Sequence, residues 1–110
     1  MSRESVGGFE LMVLLAVIRA GEDAYGVTIA GTMQEKTGRE VFLGSVYAAL
    51  ARLEGKGLVA SSMGDATAER GGKAKKYFRV TAKGLKDVRA TQQTLVKLWR
   101  GLPELQGGTT

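Results

Sequence analysis

With 110 residues, 44% of them apolar and 25% charged, the chain is sized for one small folded domain and has no room for a second core. It carries neither cysteine nor histidine, which excludes disulfide frameworks, zinc ribbons and thiol nucleophiles and removes the usual general base and metal ligand. The net charge of +5 lies wholly within residues 44–83, where eight Lys/Arg stand against three acids while the rest balances at eight against eight, the distribution expected of a surface that binds phosphate.

In chain order, a first helix is predicted over residues 8–20, with Leu11, Leu14, Leu15 and Ile18 at helical spacing and Gly21 as its stop. The apolar run 11–18 is far short of the roughly 20 residues of a membrane span, and it has neither a basic leader nor a small-residue cleavage site. A soluble cytoplasmic protein is therefore expected, with no membrane partner. Asp23 is placed to cap a second helix over residues 24–37, turning Val27, Ile29, Ala30 and Met33 inward and ending at Gly38. Residues 40–43 are β-prone, enough for one short strand.

A third helix over residues 45–56 divides into two faces. Val46, Leu50 and Leu53 form a core face, and Ser45, Ala48, Ala49, Arg52 and Lys56 share the other. That second face holds no acid, and its small side chains let a helix sink into a major groove, with Arg52 in reach of a guanine edge or a phosphate. Taken alone it is also compatible with a solvated surface. Tyr47, on the flank, is open between packing and a phosphate contact.

Strands over residues 58–63 and 76–80 enclose a polar loop, giving a hairpin. Arg70, Lys73, Lys75 and Lys76 crowd around Gly71 and Gly72. A turn needs the glycines but not four cations, whose mutual repulsion an anion would relieve. Thr81 caps a last helix over residues 82–101, closed by Pro103. Along it Leu85, Val88, Gln92, Leu95, Trp99 and Leu102 recur at spacings of three and four, a seam with one polar member. One projecting helix cannot bury such a seam by itself. Either it folds back on Leu11, Leu14 and Ile18 or a second copy covers it, and a two-fold dimer in which the first helix joins is the expected arrangement. Trp99 is an interface anchor or, together with Leu95, the wall of a site for a small aromatic effector.

The fold class is thus mainly α with a small β-hairpin, a winged helix-turn-helix with a C-terminal dimerisation helix. Residues 1–81 form the DNA-binding unit, 82–103 the dimerisation helix and 104–110 a flexible tail, all one structural unit. The expected partner is double-stranded DNA. Enzymatic activity, a cofactor and a metal are not expected: no acid pair or activated nucleophile stands out, and the glycine-bearing loop lacks phosphate-loop spacing. The alternative is a winged-helix module whose basic hairpin meets an acidic protein.

Four stretches carry a family likeness: Leu11-Met-Val-Leu-Leu15; Ala24-Tyr-Gly-Val-Thr-Ile-Ala30; Gly44-Ser-Val-Tyr-Ala-Ala-Leu-Ala-Arg-Leu-Glu-Gly-Lys-Gly-Leu58; and Glu69-Arg-Gly-Gly-Lys-Ala-Lys-Lys-Tyr-Phe-Arg-Val-Thr-Ala-Lys-Gly84. Over residues 9–102 the chain resembles the PadR family of bacterial transcriptional regulators, in its short subgroup with a single C-terminal helix. The resemblance implies a homodimeric repressor on a palindromic operator, often controlling a neighbouring gene. It would turn Ser45, Tyr47, Ala48 and Arg52 toward the operator and make a wing contact of Arg70, Gly71, Gly72 and Lys73, while Tyr25 and Gly26 serve packing and close backbone approach. In some members an aromatic on the last helix sandwiches planar drugs between subunits. The matching residue here is Leu95, and Trp99 follows one turn later.

Overall fold

A computed structural model describes residues 6–64 and 74–105. Along the chain lie α1 (Gly8–Ala20), a 3-10 turn (Gly21–Asp23), α2 (Gly26–Thr37), α3 (Leu43–Gly55), β1 (Val59–Met63), β2 (Lys76–Val80), α4 (Ala82–Trp99) and a closing 3-10 turn (Pro103–Leu105). β1 and β2 pair antiparallel with Val59 opposite Val80 and Met63 opposite Lys76. The wing residues Arg70, Gly71, Gly72 and Lys73 lie outside the described residues, as do residues 106–110 of the tail.

One core joins the first three helices to the hairpin. Leu14, Ile29, Leu50, Leu53 and Leu58 are its largest fully buried side chains, each contributing about 1.5–3 kcal/mol of transfer free energy. Two positions differ from expectation in their burial. Ala49, assigned to the outward face of α3, is completely buried. It sits at the margin of that face, where a methyl group fits beneath the neighbouring helices. Val27, assigned to the core, is 55% exposed: α2 turns Gly26, Ile29, Ala30 and Met33 inward, which leaves Val27 outside that face of the helix.

The start of α2 differs in mechanism as well. Asp23 belongs to the 3-10 turn, and Thr28 takes the capping role. Its hydroxyl accepts from the Tyr25 backbone N–H at 3.0 Å and donates to the Asp23 carbonyl. Nor do residues 40–43 form a strand: Val41 N–H donates to the Gln34 side-chain carbonyl at 2.9 Å, and Leu43 already opens α3. The third short β element is instead Tyr25, bridged to Tyr77, with Phe78 N–H donating to the Ala24 carbonyl at 2.8 Å. A β-prone stretch becomes a strand only beside a free edge. The outer edge of β2 is already taken by the chain entering α2.

α4 is docked at its base and open beyond it. Thr81 Oγ1 accepts from Gly84 N–H at 3.0 Å and donates to the Gly57 carbonyl at 2.7 Å. Gly84 is buried because its Cα faces Leu58, just before β1, and Val80 at the end of β2: an added Cβ would overlap the Leu58 carbonyl oxygen and lie 2.6 Å from Val80 Cγ1. The helix ends at Trp99, two residues before Gly101 at φ 79°, so Leu102 falls beyond it and the seam's helical part stops at Trp99.

Candidate nucleic-acid interface

α3 runs beside the hairpin and presents Gly44, Ser45, Tyr47, Ala48, Ala51 and Arg52 to solvent. Apart from Tyr47 and Arg52 these are small, which leaves a helix surface of low relief, the shape that fits closely into a major groove. Ser45, Ala48 and Arg52 fall on one stripe of this helix. Tyr47 is half exposed and its ring lies over Gly26, where an added Cβ would come within 2.6 Å of Tyr47 Cε1. Gly26 is itself buried, so the glycine in the first turn of α2 is the seat on which the Tyr47 ring rests. Tyr47 therefore packs through its ring, with a partly exposed side chain.

Arg52 and Lys56 are not free cations. The Glu10 carboxylate in the first turn of α1 accepts from Arg52 Nε at 2.6 Å and from Lys56 Nζ at 2.8 Å. Only a tenth of the Glu10 side chain is exposed, against about half of Arg52 and a fifth of Lys56. The hydrogen bonds from Lys56 and then Arg52 hold the Glu10 carboxyl below the usual glutamate range, outweighing the opposing effect of burial. Sequence reasoning passed over Glu10. The available signal was an acid on the buried stripe of α1, in helical phase with Val13, Leu14 and Val17.

A second carboxylate ties the same helix to the hairpin. Ser61 Oγ donates to Glu54 at 2.6 Å, and Lys76 Nζ lies 3.6 Å from the other Glu54 oxygen. The Ser61 hydrogen bond and the Lys76 charge hold this carboxyl low as well. Lys75 sits 4.3 Å from the centroid of the Tyr25 ring, which meets Tyr77 edge to face at 5.6 Å. Of the six predicted wing residues, then, Lys75 and Lys76 stand at the loop end of the hairpin, Lys75 against Tyr25 at the start of α2 and Lys76 near Glu54 of α3, and the other four lie outside the described residues.

Leu85, Gln92, Leu95, Trp99 and Leu102 are exposed, with Trp99 at 59%, and Val88 is half-buried against the core. Of the three residues named for a fold-back of this seam, Leu11 faces it, Leu14 turns into the core and Ile18 is 45% exposed. Leu11 and Leu15 of α1 face Val88, Leu95 and Trp99 of α4 across an open groove of about 510 Å³.

A profile of the PadR-like family of transcriptional regulators matches residues 14–90. The chain belongs to this family. Its members are regulators of transcription, not enzymes, and their winged-helix fold is the one described above. No curated protein sequence matches the chain. Among solved structures, a PadR family transcriptional regulator from Eggerthella lenta is similar at 25% identity, covering 92% of this chain and 85% of that one with a TM-score of 0.69. A transcriptional regulator from Clostridium thermocellum is also 25% identical, over 81% and 83% of the two chains, with a TM-score of 0.67. A PadR family regulator from Clostridium difficile, 24% identical over 83% and 91%, shares the fold with a TM-score of 0.69. Membership of PadR gives this chain a DNA partner. No helix among its described residues is long and apolar enough to cross a membrane.

Proposed function

We propose that this PadR regulator is a cytoplasmic repressor that binds a palindromic operator as a homodimer. The observation that carries the reading is the exposed, small-residue face of α3 next to the hairpin, both within the segment 44–83 that holds the chain's charge excess. On this reading Ser45, Tyr47, Ala48 and Arg52 meet the groove, and Lys75 and Lys76 lead into a wing completed by Arg70, Gly71, Gly72 and Lys73. Lys56, turned on Glu10, contributes charge near the backbone more than a groove contact.

Dimerisation is supported by the second apolar stripe of α1, formed by Leu11, Leu15 and Ile18, which lies outside the core together with Leu95 and Trp99 of α4. Two such faces cover each other in a two-fold pair, and two recognition helices then meet half-sites about one duplex turn apart. An aromatic effector beside Leu95 and Trp99 is the second reading, favoured only by the open groove there.

Selection from a pool of random duplexes tests the function. The expected product is an enriched palindrome whose binding weakens steeply with salt as counterions are released. Recovery of no enriched sequence, or of one without two-fold symmetry, refutes the dimeric operator reading.

A further inference from the structure

Glu10 is the one buried charged residue among those described, and it uses its two oxygens separately, Oε2 for Arg52 Nε and Oε1 for Lys56 Nζ. The partners are distant in sequence, at separations of 42 and 46 residues, so the carboxylate joins the start of α1 to the end of α3. Charge-assisted bonds of this length are directional. A guanidinium carries five N–H donors in a rigid plane, and Nε is the one spent on Glu10. Among the described residues Glu10 is the partner of Arg52, and the two terminal nitrogens, with four N–H groups, are left for an acceptor beyond that surface. The side chain is 53% exposed and stands on the stripe of Ser45 and Ala48.

We propose that Glu10 is a positioning residue for sequence reading: it fixes the plane of the Arg52 guanidinium so that its terminal nitrogens meet the paired acceptors of a base edge and not whichever phosphate is nearest. This inference rests on the operator reading above. Guanine, with O6 and N7 side by side in the major groove, is the base whose edge matches that fork. Glu10 thereby acts on specificity without touching DNA. It also leaves the three-residue cluster with a single net positive charge, which lowers the sequence-independent pull of these two cations on DNA.

The test compares the dissociation constants of the full-length protein for its selected palindrome and for a random duplex at fixed salt. Glu10→Gln keeps the shape and removes the charge. The specificity ratio, the random-duplex constant over the palindrome constant, is expected to fall about tenfold, the size of one bidentate base contact, while random-duplex binding is unchanged or tighter. Arg52→Lys, which keeps a cation but lacks the planar fork, should lose the ratio likewise, and Glu10→Gln added to it should change the ratio no further. The proposal is overturned if Glu10→Gln weakens both duplexes in parallel, if Arg52→Lys retains the ratio, or if the double variant loses more than Arg52→Lys alone. A wild-type protein that selects no duplex at all would instead remove the operator reading itself.

Discussion

Replacing one glycine by alanine should have opposite effects at two helical positions. At Gly84, the new methyl group would overlap the Leu58 carbonyl oxygen and press on Val80 Cγ1 at 2.6 Å. The carbonyl is backbone and already accepts from Thr81 N–H at 3.0 Å, so it cannot rotate aside as a side chain would. α4 must step away from Leu58 and Val80, straining the Thr81 cap, which is worth about 1 kcal/mol. Overpacking of this kind costs about 1–3 kcal/mol, and the better helix propensity of alanine returns about 0.5–1 kcal/mol. The balance is a loss of about 2 kcal/mol, which lowers Tm by about 10 °C for a domain of this size. At Gly31, in α2 with no atom within 4 Å of an added Cβ, only the propensity gain operates and Tm should rise by a few degrees. Thermal unfolding followed by circular dichroism at one fixed protein concentration measures both, since Tm moves with concentration if the chain self-associates. A Gly84→Ala protein as stable as wild type would show that α4 is not seated on Leu58 and Val80 as described. A Gly31→Ala protein destabilised as much as Gly84→Ala would refute the reasoning from local space.

The Glu10 cluster makes stability depend on pH. Its folded-state pKa is lowered, so its stabilisation is complete above the ordinary glutamate value of about 4.3 and is lost as pH falls through the lower folded value. Glu10→Gln should cost about 1–2 kcal/mol at pH 7, less than a fully buried pair because Arg52 is half exposed, and the gap should close toward pH 3. Urea midpoints between pH 7 and 3 decide this, and parallel curves would refute it. Leu95→Glu should separate the proposed dimer by setting a charge in its apolar seam, weakening self-association by roughly a hundredfold. Sedimentation at micromolar concentration reads this directly, and a wild-type chain that is already monomeric there would remove the dimer from the proposal.

Where local pattern governs structure, the sequence was readable. The bounds of α1 and β2 follow from periodicity and from Gly21 and Thr81, and the aliphatic core of α3 follows from its wheel, with Ala49 added at the margin. What escaped was set by distant partners. Val41 and Phe42 have strand chemistry, but the edge they would need is occupied by Ala24 and Tyr25, a competition no local window contains. Arg52 and Lys56 read as free cations because the acid that holds them lies on another helix. Gly26 and Gly84 stood within recognisable stretches, yet their physical reason, a ring over one and a carbonyl against the other, emerges only when the elements are packed.

The base of α4 donates to the carbonyls that follow α3: Lys83 Nζ to that of Lys56 at 2.9 Å, and Thr81 Oγ1 to that of Gly57. The joint is stiff, and the arm above it is long. Eighteen residues at 1.5 Å each make a lever of about 27 Å, so moving its tip by about 5 Å turns its base through about 10°. In the proposed dimer, then, the crossing of two tips near Trp99 would set the stance of two recognition helices, like the rivet of a pair of callipers. A side chain far from any base would decide which gaps between half-sites the jaws can span.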